Sequence, residues 1–313
     1  MRIGLSFEFF PPNTETGEHK LREVRRNLAR LRPDFFSVTF GAGGATRDKT
    51  RALVEAISRE SGSGKPASEE PASRESSSSE SGNPHASADF RTNAAHPVPV
   101  APHLSCVGQD RAQLGALLAQ YRAMGISRIV ALRGDLPSGM VQGGAFRYAE
   151  DLVAFIREHH GDHFHVVVAA YPEMHPQAAS PQADLQAFVR KVRKGASSAI
   201  TQYFYNADAY FRFRDEVTRA GIDLEIVPGI MPITNTTQLM RFSESCGAEI
   251  PRWIRLKLAS FGDDRGAIRA FGRDVVAALC RRLVEGGAQS LHFYTLNQSE
   301  PSTAILGDLG LAG

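Results

Sequence analysis

Glu8 is the one carboxylate in the aromatic run Ser6-Phe7-Glu8-Phe9-Phe10-Pro11-Pro12. In a strand, the two-residue period puts Ser6, Glu8 and Phe10 on one face and Phe7 and Phe9 on the other. A carboxylate held there needs a partner or a proton, because burying it unpaired is costly. Burial in a Phe-lined setting would raise its pKa and suit it to proton donation. A strand-end glutamate that simply reaches water is the plain alternative, and the elements around Glu8 must decide between the two.

Those elements alternate along the whole chain. Apolar runs read as strands at Ile3–Phe10, Phe35–Gly41, Val98–Cys106, Arg128–Gly134, His165–Tyr171, Ala199–Tyr205, Glu225–Ile230 and Leu291–Leu296. Amphipathic stretches between them read as helices at His19–Leu31, Asp48–Arg59, Arg111–Met124, Tyr148–His159, Pro181–Lys194, Ala207–Ala220, Thr236–Cys246 and Arg265–Glu285, with an extra piece near Pro251–Phe261. Strands that are apolar almost throughout are expected in a parallel sheet covered by helices. Eight such units without hairpin signals predict an α/β fold, a single (β/α)8 TIM barrel over residues 1–313.

One tract breaks the rhythm. From 60 to 95 the chain is rich in Ser, Glu, Pro and Gly, including Arg74-Glu75-Ser76-Ser77-Ser78-Ser79-Glu80-Ser81. It lacks the apolar surface to offset the entropy of ordering, so it is predicted to be a disordered insert. Its place between a helix and the next strand puts it at the N-terminal end of the barrel, away from the chemistry.

The bulk properties exclude several classes. A net charge of +2 over 313 residues offers no basic field for nucleic acid, and 42% hydrophobic content supports a sizeable core. No apolar run approaches the ~18 residues of a membrane span. The cysteines Cys106, Cys246 and Cys280 show neither pairing nor metal spacing. A cytoplasmic protein without a signal segment is expected, and a homo-oligomer.

Barrel chemistry collects where strands end. Those positions carry Glu8, Thr39, His103, Asp135, Tyr171 with His175, Gln202, and Leu296-Asn297-Gln298. The glycine run at Gly41-Ala42-Gly43-Gly44 lacks the third glycine of a dinucleotide fingerprint, and Gly62-Ser63-Gly64-Lys65-Pro66 fails the spacing of a phosphate loop. The histidines from His159 to His165 fall in a helix-to-strand loop on the opposite face, which argues against a metal role there.

These strand ends resemble the signature blocks of methylenetetrahydrofolate reductase. The likeness is carried by Ser6–Pro12, Ser37-Val38-Thr39-Phe40-Gly41-Ala42, Ala101–Cys106, Ala131-Leu132-Arg133-Gly134-Asp135-Leu136-Pro137, Ala169–Pro176, Ala199–Gln202, Pro228–Pro232 and His292-Phe293-Tyr294-Thr295-Leu296-Asn297. It runs in order through the chain apart from the Ser-rich tract. The resemblance implies a short bacterial-type enzyme, without a regulatory domain, that reduces 5,10-methylenetetrahydrofolate to 5-methyltetrahydrofolate. Its cofactor would be FAD, its electron donor NADH or NADPH, and its cycle ping-pong, feeding methionine synthesis. The barrel alone would also admit another flavin oxidoreductase, such as a proline dehydrogenase relative, or a barrel that binds folate or flavin without turnover.

Carried over by position, the resemblance makes Glu8 the general acid. It assigns FAD contacts to Thr39, Phe40, Ala42, His103, Arg133, Gly134, Asp135, Tyr148, Ala149, Tyr171, His175, Ala178, Asp184, Gln186, Arg190 and Lys191. Asp135, Gln202, Gln238, Phe242 and Gln298 fall on substrate positions. Asp135 would stay ionised and favour a cationic folate iminium. Gln298 departs from the pattern, because bacterial members carry Arg there, and the contact an arginine could make with a folate carboxylate is not available.

Overall fold

A computed structural model describes residues 2–40, 47–60, 97–134 and 144–312. Its strands are β1 (Gly4–Phe9), β2 (Phe35–Val38), β3 (Val100–Ser105), β4 (Arg128–Leu132), β5 (His165–Ala170), β6 (Ser198–Thr201), β7 (Ile226–Val227), β8 (Gly229–Ile230) and β9 (Ser290–Tyr294). All pair in parallel, in the order β7-β6-β5-β4-β3-β2-β1-β9-β8.

The expected seventh strand is therefore two short pieces separated by Pro228. Proline lacks the N–H that an unbroken ladder requires. β7 pairs with β6 and β8 with β9, while the Pro228 carbonyl accepts from His292 N. The two pieces act as one stave, and the ring closes as a (β/α)8 barrel. Gly229 follows because nothing larger fits: a Cβ there would lie 2.1 Å from Thr201 O and 2.6 Å from the Tyr294 ring.

The outer layer comprises α1 (Glu15–Ala29), α2 (Arg47–Glu60), α3 (Arg111–Ala123), α4 (Ala149–His160), α5 (Pro181–Arg193), α6 (Ala207–Arg219), α7 (Thr236–Cys246), α8 (Arg252–Ser260), α9 (Arg265–Glu285) and α10 (Glu300–Asp308). Three of these, α7 to α9, lie in the crossover before β9. The α10 helix was not expected from the sequence; its short GD-terminated segment carries few apolar positions, and packing against α9 stabilises it. The expected start of the insert at Glu60 is also corrected. Glu60 ends α2, and its carboxylate pairs with the buried guanidinium of Arg25 at 3.0 Å. The tract from 61 to 96, together with the expected site residues Ala42 and Asp135, lies outside the described residues.

Two apolar layers follow from strand alternation. Phe7, Phe9, Leu104 and Phe293 face the helices, while Phe35, Ala101, Val130, Val167, Ile200 and Val227 plug the barrel interior. The His-rich stretch, expected as a loop throughout, is one only in part: His159 and His160 end α4 and His165 begins β5, where it bonds Ser198 Oγ at 2.8 Å, while His163 between them bonds Ile126 O at 3.1 Å. Among the described residues no helix is long and apolar enough to cross a membrane.

Candidate active site

Above the interior plug, at the C-terminal ends of the strands, lies a cavity of about 350 Å³. Val130, Leu132, Val168 and Ile200 make its apolar floor. Of the residues expected from the sequence, Glu8, His103, Tyr171, Gln202 and Phe242 line it.

Glu8 sits inward on β1, with Phe7 and Phe9 turned to the opposite face. That alternation is as expected, but the surroundings of Glu8 are not. It faces polar rings rather than phenylalanines: His103 Nε2 lies 3.3 Å and His292 Nε2 3.7 Å from its Oε2. Neither imidazole nitrogen makes an aligned hydrogen bond, and both are buried. Ser6, one inward position earlier, bonds His292 Nδ1 at 2.7 Å. In the tautomer where the Ser6 hydroxyl donates to Nδ1, the His292 proton sits on Nε2, on the side of the carboxylate.

The charge balance overturns the expected raised pKa. Burial does push Glu8 up, but the combined pull of His103 and His292 is larger and holds it at about 2. Burial in turn keeps His292 below the usual histidine value. The site thus holds a glutamate that is ionised at neutral pH, with the Nε2 atoms of two imidazoles packed against its Oε2.

The remaining expected residues that the structure describes lie on the segments after β2, β4, β5 and β9 and on α4, α5 and α7. Tyr171 and His175 stack edge to face with centroids 4.5 Å apart, and the His175 amide donates to Asp184 Oδ2 at 2.8 Å. Ala178 N donates to the His175 carbonyl, so Asp184 on α5 and this turn brace each other. Arg133 bonds the Gln177 side-chain oxygen and the Gly134 carbonyl, and Gly134 (φ +85°) packs on Ser105. Tyr148 begins α4, half exposed, with Ala149 as the first helical residue.

On α5, Arg190 pairs with Glu150 at 2.8 Å, Lys191 Nζ donates to the Ala169 carbonyl, and Gln186 is exposed. Burial lowers the Lys191 pKa to about 8 against the opposing pull of Asp184 and Glu150. Thr39 N donates to the Phe9 carbonyl and so ties β2 to β1; Phe40, next along, is partly exposed. Gln238 belongs to the first turn of α7 and Gln298 to the turn after β9; neither lines the cavity.

Sequence reasoning assigned no role to Tyr203, Met231, Cys246, His292 or Tyr294. His292 touches Glu8, and the other four line the cavity. Two-residue alternation puts His292 and Tyr294 on one face of their strand, but only the register of β9 against β1, Glu8 opposite Tyr294 and Ser6 opposite His292, makes that face the inward one.

A closed parallel barrel with an ionisable cluster at the strand ends defines an enzyme of the (β/α)8 class. Comparison with known proteins narrows the class. The family model described as methylenetetrahydrofolate reductase matches residues 1–63 and 76–310. The chain is 37% identical over 310 residues to the 5,10-methylenetetrahydrofolate reductase of Salmonella typhimurium, spanning 99% of this chain and 92% of that one. The same figures hold for the Escherichia coli K12 enzyme. It is 35% identical to methylenetetrahydrofolate reductase (NADH) 1 of Arabidopsis thaliana, of which it spans 49%.

A solved structure shares the fold at a TM-score of 0.59 and 15% identity, covering 99% of this chain and 94% of that one. It is an uncharacterized Clostridium thermocellum protein that binds two copies of 5-methyl-5,6,7,8-tetrahydrofolic acid. The chain belongs to the methylenetetrahydrofolate reductase family and is a folate-reducing oxidoreductase.

Proposed function

We propose that the protein reduces 5,10-methylenetetrahydrofolate to 5-methyltetrahydrofolate in the cytoplasm, with FAD as cofactor and NADH or NADPH as electron donor. The observation that carries this reading is Glu8 at the wall of the strand-end cavity with His103 and His292 against it. FAD, when bound, would carry the hydride from the nicotinamide to the folate, the two substrates taking turns in the site.

The expected cofactor residues suit such a group. Arg133, Arg190 and Lys191 supply cations, and Tyr148, Tyr171 and His175 supply flat faces. Lys191 is a desolvated cation whose depressed pKa signals incomplete compensation, so a diphosphate beside it would be favoured. Thr39, Phe40, Ala42, Gly134, Asp135, Ala149, Ala178, Asp184 and Gln186 complete the proposed cofactor set. Gln202 and Phe242 at the cavity wall, with Asp135, Gln238 and Gln298, would receive the folate.

Glu8 is the proposed proton donor to the folate nitrogen whose protonation opens the five-membered ring. Because Glu8 is ionised in the free site, it must first be loaded. The proton would come from solvent before the cavity closes, since a neutral imidazole N–H beside the carboxylate is far too weak an acid to supply it. A folate filling the cavity would exclude water and raise the cost of the carboxylate charge, favouring the protonated form. Self-association would cover Trp253 and Leu256, exposed on one face of α8.

The test is direct. Purified protein should carry a yellow flavin that NADH or NADPH bleaches and methylenetetrahydrofolate restores. Proline failing to bleach it would separate this reading from a proline dehydrogenase; a bleached flavin that methylenetetrahydrofolate leaves reduced would overturn it.

A further inference from the structure

The turn after β9 is unusual. Leu296 (φ +50°) and Asn297 (φ +55°) are consecutive non-glycine residues in the left-handed region, which disfavours L side chains. Outliers of this kind persist only where surrounding contacts hold them. Here the contacts lead to the backbone around Glu8.

The β1–β9 ladder ends at the pair Glu8–Tyr294. Beyond it the left-handed turn takes the β9 backbone away from β1, which would leave Phe10 without a partner on that side. The Asn297 side chain takes the place of a strand peptide. Its Oδ1 accepts from Phe10 N at 3.1 Å, and its Nδ2 donates to Phe10 O at 2.9 Å. Thr295 Oγ1 donates to Glu8 O at 2.6 Å and accepts from Asn297 N at 3.1 Å. On the other side of β1, Phe9 O accepts from Thr39 N. The same turn delivers Leu296 to the cavity wall.

We propose that Asn297 is a positioning residue for the proton donor: its amide extends the β1–β9 ladder past Glu8 and fixes the aim of that carboxyl group at the folate. The proposal rests on the reading of Glu8 as general acid. Asparagine suits the position because it tolerates left-handed backbone and carries one donor and one acceptor in the geometry of a peptide. Glycine would keep the turn and lose the clamp, whereas Asp would keep an acceptor for Phe10 N and lose the donor to Phe10 O.

Asn297→Gly and Asn297→Asp separate these contributions. Hydrogen exchange at the Phe10 amide should accelerate at least ~10-fold in Asn297→Gly and less in Asn297→Asp. Flavin reoxidation by methylenetetrahydrofolate should slow by about 10–100-fold in Asn297→Gly, with an altered pH profile and partial recovery in Asn297→Asp. Reduction by NADH should be unaffected. Unchanged Phe10 exchange in Asn297→Gly, or equal slowing of both half-reactions, would overturn the proposal. If the wild-type protein itself leaves methylenetetrahydrofolate unreduced, the acid role of Glu8 fails and the catalytic part of the proposal with it; Phe10 exchange still decides whether the clamp exists.

Discussion

Glu8 and His103 meet in the lumen at 3.3 Å although β2 stands between their strands. The inward position of β2 in register with Glu8 is Ser37, which is fully buried and small. A large side chain there would fill the space through which the two groups meet. The contact makes Glu8 an anion in the resting site, and the predictions below turn on that charge.

Glu8→Gln removes both the charge and the transferable proton. Flavin reduction by NADH should proceed at close to the normal rate, while reoxidation by methylenetetrahydrofolate should fall by at least ~100-fold, the usual cost of losing a general acid. Stopped-flow absorbance resolves the two steps. Equal slowing of both would assign Glu8 to flavin placement or folding; no slowing of either would move the proton donor elsewhere.

His103→Leu takes away the nearer imidazole and leaves burial opposed by His292 alone. Its pKa should rise from about 2 toward the ordinary carboxylate range or above. Infrared difference spectra with Glu8→Gln as the control would follow the protonated carboxyl band. A band appearing only at the same low pH as in the wild type would show that His103 does not set the charge.

Acid should destabilise the fold in two overlapping stages. His165 is held at about 4, chiefly by burial and then by Arg128 and Arg157, so the unfolded chain binds a proton that the folded chain refuses as pH falls from 6.5 toward 4. Glu8 is held near 2 against 4.5 unfolded, so its contribution is present above 4.5 and lost as pH falls toward 2. Both effects lower stability as pH drops. Melting curves from pH 7 to pH 3 should show it, with His165→Gln flattening the upper part and Glu8→Gln the lower; a flat profile between pH 7 and 5 would refute the first stage.

Deleting residues 64–75 should leave melting temperature and turnover nearly unchanged. The match to the family model leaves these residues out, and shortening a long connection alters closure entropy by well under ~1 kcal/mol. A fall of several degrees would mean that this stretch packs on the barrel.

The sequence by itself determined the alternation of apolar strands with amphipathic helices, and hence the barrel, with Glu8, His103, Tyr171 and Gln202 among the residues at its strand ends. Two-residue periodicity also put Glu8 on the lumen face, because that periodicity is a local property of extended chain. Other features depended on neighbours distant in sequence. The break at Pro228 is tolerated because β6 and β9 each take one piece of the stave. The α10 helix depends on α9, and the protonation of Glu8 depends on His103 and His292. An aromatic run suggested a carboxyl group kept neutral by burial; the tertiary structure set two imidazoles against it and made it an anion. A pKa is a through-space balance of desolvation against charge, and no spacing along the chain records which rings will share a lumen.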